Sequence, residues 1–349
     1  MRKLLTAPAD RRSLNTMKRM VKRRIHLLLG AALLLACGGT LRAGLGDILD
    51  RVRDRVGPVL VAGDLLVAPG TEVTLQARLR SGLGLGGEAG KRIQFHIEER
   101  RLGEVVSDQD GNASVRWTAP EKAGDYLVRV RLKPDDQPEK PIDDAQLLVA
   151  VRPADARVVV VDLDKTVVAS GFARVLLGGA RPMDGASAVL QRLAANHTVV
   201  YLTHRPDFLG PSSKRWLTEN GFPPGPVLTS SLGGLAGGSG TYKTARLADI
   251  KRTYKNLVVG IGDKVSDAQA YVDHGLNSIL ILHVDWSEDD PKDYEKLAAE
   301  LADLPETVHV VSNWSDVAAI LFDRAARPKR DMERRLRDMA RNLRRRGKD

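Results

Sequence analysis

Two carboxylates one residue apart, Asp162 and Asp164, stand where the apolar run VVVV at 158–161 stops. A carboxylate can attack phosphorus and take up the phosphoryl group as an aspartyl-phosphate. A second carboxyl beside it can protonate the departing alcohol and later activate water. Two anions facing a phosphate dianion would repel it, so such a pair needs a divalent cation, and an all-oxygen site suits Mg²⁺. Its charge would hold the phosphoryl group in line for attack. Taken alone, two acids after a strand also describe a solvated strand end.

The surrounding elements separate these readings. From 156 onward the apolar runs RVVVVD, HTVVYLT, NLVVGIG, NSILILHV and VHVVS alternate with the helical patterns GASAVLQRLAAN, SSKRWLTENG, TARLADIKRTYK and DAQAYVDHG. Near-continuous apolar strands between amphipathic helices predict an α/β fold with a parallel sheet covered on both faces. Ligands bind at the carboxyl ends of such strands. Asp162, Thr203 and Asp263 each fall just past a strand end, so three polar residues converge on one sheet edge. The glycine-rich stretch LGGLAGGSG at 232–240 is a low-complexity loop that lacks the G-K-[ST] ending of a phosphate-cradling P-loop.

With these residues in place, residues 156–325 resemble the haloacid-dehalogenase (HAD) superfamily of phosphohydrolases. DLDKT at 162–166 is similar to its first motif, VVYLTHRP ending at 206 to its second, TYKTARLADIK to its third and GDKVSD at 262–267 to its fourth. The resemblance implies a Rossmann-like sheet with Asp162 as nucleophile and Asp164 as general acid/base. It implies Thr166, Thr203 and Lys243 at the substrate phosphoryl group, with Lys251 as the competing lysine. Asp162, Asp164 (through its backbone carbonyl), Asp263 and Asp267 would hold Mg²⁺, although Asp267 also reads as a helix cap. YLTHRP, GFPPGPVLTSS, YKTARLADIKRTYKN and GIGDKVSDAQAYVDHG narrow the likeness to lipin-type phosphatidate phosphatases and their lipid-binding relatives. Lys165 departs from that pattern, which usually has Gly there, and Asp263 stands where Asn is frequent.

The short spacings around the motifs leave no room for a large cap domain, so the pocket is expected to be open to bulky headgroups. His204 and Arg205 are expected to add positive charge at its rim. The leading expectation is an exported Mg²⁺-dependent phosphatase that hydrolyses a phosphate monoester, a lipid phosphate such as phosphatidate being one example. The alternatives are a module that binds phosphatidic acid without turnover, or an envelope interaction protein. Retention of Asp164 favours catalysis.

Upstream, residues 58–152 are short alternating runs separated by Gly, Pro, Asp and Asn clusters, which predicts an all-β sandwich. The phrase DQDGNASVRWTAPEKAGDYLVRV resembles bacterial immunoglobulin-like domains. Such a domain reads as a spacer or as a binding module.

The net charge of +10 belongs to the two ends. Residues 1–37 and 324–349 each contribute +8, which leaves the body at −6 and gives no general case for nucleic acid. MKRMVKRR at 17–24, a short apolar run and small residues after it form a secretory signal too short to span a membrane. Residues 1–16 read as an over-called start upstream of Met17. Cys37, in LLAC, resembles the lipidated cysteine of bacterial lipoproteins, although Leu35 fills a position that is usually smaller. An ordinary signal cleaved near Ala43 is the alternative. Residues 1–43 are thus an export segment, 44–57 a linker, and the location a periplasmic or cell-envelope one with a lipid anchor. Residues 326–349 form a basic amphipathic tail, with Met332, Leu336, Met339 and Leu343 on one stripe. That stripe could lie on an anionic membrane, pack on the domain or stay solvated.

Overall fold

The computed structural model describes residues 58–81, 86–139, 141–169, 180–231, 238–287 and 290–346. The export segment with Cys37, the 44–57 linker and most of the glycine-rich 232–240 stretch lie outside these residues.

A six-stranded, wholly parallel sheet builds the second half of the chain. Its strands are β9 (Val158–Val161), β10 (Thr198–Pro206), β11 (Val227–Ser230), β12 (Leu257–Gly262), β13 (Asn277–Ile281) and β14 (His309–Val311). They lie in the order β11-β10-β9-β12-β13-β14, with every neighbouring pair parallel. The chain begins in the middle, fills one side, then crosses β9 and fills the other. That reversal is a topological switch point, and it falls at the carboxyl end of β9.

The four valines of β9 show why the sequence there is apolar without alternation. All four are fully buried. Val159 and Val161 pack with Val189, Leu190, Trp216, Leu217, Trp314 and Val317, which come from α1 (Ala186–Ala194), α2 (Gly210–Glu219) and α6 (Trp314–Asp323). Val158 and Val160 face the other way, onto Leu247, Ile250, Ala270 and Tyr271 of α3 (Gly238–Thr253) and α4 (Val265–Asp273). Successive strand residues point to opposite faces, so a strand covered by helices on both needs apolar side chains throughout. On β12, Gly260 lets the Tyr271 ring lie against the backbone: a Cβ there would meet ring carbons at 2.1 Å.

Two helices escape the periodicity used above. α5 (Pro291–Ala302) starts at Asp290, whose carboxylate accepts the Lys292 N–H at 2.9 Å, with proline at the first helical position. α6 starts at Asn313, whose Oδ1 accepts the Asp316 N–H at 2.9 Å. Both starts were written in the sequence as caps.

The first half is β-rich. β1 (Val59–Ala62), β3 (Glu72–Arg80) and β6 (Asn112–Thr118) form one antiparallel sheet. β2 (Leu65–Val67), β8 (Ala145–Val151), β7 (Gly124–Leu132), β4 (Arg92–Ile97) and β5 (Arg100–Val106) form another, antiparallel except for the β2–β8 pair. The two share one apolar core, in which Leu75, Leu79 and Ala113 meet Ile93, Phe95, Val128, Leu147 and Val149.

The basic carboxyl end is part of the folded body. α7 (Lys329–Arg346) lays Met332, Leu336, Met339, Ala340 and Leu343 against Tyr294, Ala298 and Leu301 of α5. Buried Lys329 donates to the carbonyls of Leu301 and Ala302 at 3.0 and 2.7 Å, which satisfies the open end of α5. The apolar stripe is therefore packed within the protein, one of the options the sequence leaves, and is not free to lie on a membrane surface. Among the described residues no helix is long and apolar enough to cross a membrane. Leu336→Ala should cost about 2–5 kcal/mol of stability, as for other fully buried leucines, with Arg341→Ala close to neutral. Urea melts of the two variants measure the contrast.

Candidate functional site

The central strands β10, β9 and β12 bring Thr203, Asp162 and Asp263 to one edge of the sheet. The ladder does not stop at Val161: the Asp162 N–H still donates to Ile261 O of β12 at 2.9 Å. After it the chain turns tightly, with the amides of Val167 and Val168 both donating to Leu163 O at 3.0 Å. Lys165 in this turn has φ +54°. Only glycine takes that left-handed conformation without steric cost, which is the physical reason for a glycine preference at the position. His283 and Trp314 fasten the turn: a His283 ring nitrogen lies 2.5 Å from Lys165 O, and Trp314 Nε1–H donates to Thr166 O at 2.7 Å.

Asp162, Asp263 and Asp267 offer carboxylate oxygens that all lie within 4.8 Å of one another. Asp267 sits in the first turn of α4, whose N-cap is Lys264 and is not closed by any side chain. Asp267 is thus no cap; its Oδ2 lies 2.7 Å from Lys243 Nζ. It can come so close to the strand because Gly262 has no Cβ, which would stand 2.9 Å from the carboxylate. Lys243 reaches in from α3, where Lys243, Leu247 and Ile250 share the buried face. Its Nζ is also 2.9 Å from Asp162 Oδ1. Lys251, the competing lysine, instead donates to His274 O at 2.5 Å beyond the end of α4.

The charges in this pocket do not balance. Burial pulls the Lys243 ammonium down, but Asp162, Tyr271 and Asp267 outweigh it and raise the group above its ordinary range. Burial raises Asp162, with Lys243 opposing and Asp267 adding to the rise. Burial and the neighbouring Asp162 and Asp267 push Asp263 up to about 7. Three carboxylates thus gather at one buried ammonium, and Asp263 Oδ1 is buried with no hydrogen-bond partner among the described residues. A divalent cation held by carboxylate oxygens answers both defects, and this donor set fits Mg²⁺.

Asp164 is held apart from that group. Its carboxylate, 27% exposed, receives a two-pronged contact from Arg205, Nε to Oδ2 at 2.9 Å and Nη2 to Oδ1 at 2.8 Å. Arg205 Nη1 donates to Ser213 Oγ at 2.8 Å, and its side chain is 2% exposed. The expectation of Arg205 at the pocket rim is therefore corrected. β10 runs on to Pro206, so Arg205 shares the buried side with Thr203 two residues earlier. His204 alternates with them, half-buried, its ring centroid 5.7 Å from that of Tyr242. Thr203 is buried, and its Oγ1 accepts the Arg205 N–H at 3.3 Å. Thr166 is fully buried, with Oγ1 unpaired among the described residues. Sequence reasoning missed the Arg205–Asp164 fork, because nothing in the spacing of residues 41 apart marks it.

Residues 159–285 match the family model described as "PITM 1-3, LNS2 domain". That stretch, just over a third of the chain, is similar to a HAD-like, phosphatidate phosphatase-related domain and contains Asp162, Asp164, Thr166, Thr203, Arg205, Lys243, Asp263 and Asp267. No curated protein matches the chain. Among solved structures, the chain is similar to a putative membrane anchored protein from Corynebacterium diphtheriae at 16% identity and TM-score 0.23, covering 29% of this chain and 22% of that one. It is also similar to the D0-D1 domain of intimin, at 14% identity and TM-score 0.20, covering 26% and 45%. For the Yersinia pseudotuberculosis adhesin InvE the values are 18% and 0.22, covering 29% and 27%. The chain spans less than half the length of each, and at these TM-scores the likenesses carry no argument.

A pH test follows from Asp263. Its folded value of about 7 lies above the ordinary 3.8, so between these values the folded chain holds a proton that the unfolded chain has released. Metal-free stability from this group should therefore be present at about pH 4 and decline as pH rises to about 7. Mg²⁺, which needs the ionised carboxylate, should protect more at about pH 8 than at about pH 5. Asp263→Asn should flatten the decline and abolish the Mg²⁺ protection. Thermal melts with and without Mg²⁺ at the two pH values measure both effects.

Proposed function

We propose that residues 156–325 form a HAD-type, Rossmann-like domain without a large cap, and that it hydrolyses a phosphate monoester through an aspartyl-phosphate. One observation carries the reading: a largely buried carboxylate cluster around Lys243 at the switch point of a parallel sheet, with the partly exposed carboxyl of Asp164 two residues along the chain from Asp162. The likeness of 159–285 to an LNS2 domain supports phosphatase-related or lipid-related chemistry at that site. A phosphate ester presented by a membrane lipid fits the absence of a separate cap among the described elements between β9 and α3, which are α1, β10, α2, β11 and one short turn.

Asp162 is the nucleophile: one carboxylate oxygen bonds to phosphorus as the bond from phosphorus to the ester oxygen breaks. Asp164 gives a proton to the departing alkoxide, then takes one from the water that cleaves the phosphoaspartate and regenerates Asp162. Lys243, already against Asp162, offsets charge as the carboxylate becomes an acyl phosphate. Thr203 and Thr166 provide hydroxyls for the phosphoryl oxygens. Asp162, Asp263, Asp267 and the Asp164 carbonyl would hold Mg²⁺, which when bound supplies charge neutralisation at the phosphoryl group. The Arg205 fork favours a second reading, anionic-lipid binding without turnover, because it engages both carboxylate oxygens of Asp164.

Around this domain, residues 58–152 are proposed to be an immunoglobulin-like sandwich. Export with lipidation at Cys37 is a further proposal, supported by the sequence alone. Expressed from Met17 in a bacterial host, the protein should take up a lipid label that Cys37→Ser loses; an unlabelled parent chain would leave a soluble exported protein.

The reaction is tested by a Mg²⁺-dependent screen of phosphatidate, lysophosphatidate and soluble esters. Asp162→Asn should abolish turnover with the fold intact. Asp164→Asn should lower turnover by about 10² to 10⁴ on alkyl esters, far less on aryl esters with good leaving groups, and leave affinity for a phosphate analogue nearly unchanged. A parent chain inert towards every ester, yet bound to phosphatidate vesicles, would establish the second reading.

A further inference from the structure

The segment from Arg205 to Lys214 is gripped on two sides. On the inner side Arg205 forks onto Asp164 and also donates to Ser213. On the outer side the β-rich region reaches the same segment twice. Arg80, at the end of β3 and fully buried, ion-pairs with Asp207, two residues beyond Arg205. Asp64, between β1 and β2, takes Lys214 Nζ at 2.6 Å, one residue beyond Ser213. Asp64 is buried in turn by the backbone of both regions: it accepts the Leu148 N–H of β8 at 2.7 Å and the Val227 N–H of β11 at 2.9 Å. Lys214 also donates to Ala62 O and Gln146 O, at 3.2 and 2.8 Å.

A spacer that merely sets a distance has no use for these contacts. Burying charges is costly unless partners and geometry are supplied, and both pairs are spent on the one segment that carries the fork. We propose that the β-rich region is a positioning element for the reaction: through Arg80–Asp207 and Asp64–Lys214 it holds segment 205–214 so that the Arg205 fork sets the orientation of Asp164. The proposal rests on the phosphatase reading above. Arg80, Asp64, Asp207 and Lys214 are positioning residues, since they act through Arg205 and Ser213.

The experiment uses the full chain with Asp207→Asn and, separately, Lys214→Met. The second variant keeps the fold within reach if the first does not, because Asp64, whose burial already raises it above the usual carboxylate range, can take a proton when the lysine is gone. Turnover is compared on an alkyl phosphate and on an aryl phosphate with a good leaving group. We expect kcat on the alkyl ester to fall about tenfold, a fraction of what general acid–base catalysis supplies, with KM steady and the aryl ester spared. An equal loss on both esters, no loss, or a gain overturns the proposal. Amide exchange by mass spectrometry supplies an arm that needs no activity. Loosening should spread from 205–214 to the Asp164 turn at 162–168, and loosening confined to 205–214 also overturns it. If the parent chain turns over no ester, the phosphatase reading fails by itself, and exchange in the Asp164 turn alone then decides whether the β-rich region holds it.

Discussion

A lysine ammonium buried between two carboxylates is the interaction on which the site depends. Lys243 is 1% exposed and lies within 2.9 Å of both Asp162 and Asp267. A buried ammonium would ordinarily shed its proton, and here the adjacent acids keep it charged. The same proximity binds α3, β9 and α4 together, so one charge contact joins the strand that carries the candidate nucleophile to the helices on one face of the sheet. The pair is incomplete by itself, because Asp263 adds a third acid whose Oδ1 is buried with no hydrogen-bond partner among the described residues. That imbalance makes the pocket compatible with a divalent cation, as well as a structural junction.

The surrounding fold is arranged so that these groups can meet. A doubly covered parallel sheet puts the ends of β10, β9 and β12 side by side at the switch point, where sheets of this kind bind their ligands. Glycines admit what side chains would exclude: Gly262 admits the Asp267 carboxylate, and Gly260 admits the Tyr271 ring behind it. Against this runs a local conflict at Lys165, a non-glycine residue held at φ +54° and fastened by His283. Backbone strain of about 1–2 kcal/mol at such a position persists only where neighbours over-determine it.

The β-rich region and the carboxyl-terminal helix bear on the parallel-sheet region in different ways. α7 completes an apolar cluster with α5 and keeps its arginines outward, several of them paired with nearby acids such as Asp331, Asp338 and Glu295. Its basic charge is thus partly spent within the helix and its neighbour. The β-rich region, by contrast, meets the segment behind Asp164 through buried charges, so the two halves of the chain share contacts next to the chemistry as well as a linker.

Much of this was legible in the sequence. Unbroken valines before Asp162, alternating strands and helices, and acids past strand ends were enough for the parallel sheet and for the edge where Asp162 and Asp263 meet, because burial on both faces leaves a periodic signature in one dimension. Thr203, expected past a strand end, lies instead within β10, which runs on to Pro206. Caps at Asp290 and Asn313 were equally present, although short helices behind them are easily passed over. What only the tertiary structure decided are pairings between residues far apart in the chain. The spacing left Lys243 and Lys251 as rivals, and the direction in which α3 faces the sheet chose between them. The fork of Arg205 onto Asp164, the burial of the α7 stripe on α5, and the grip of Asp64 on Lys214 have no periodic signal at all. Each depends on which surfaces the folded chain brings together, and a charge or an apolar stripe reads the same in sequence whether it meets water, a membrane or another part of the protein.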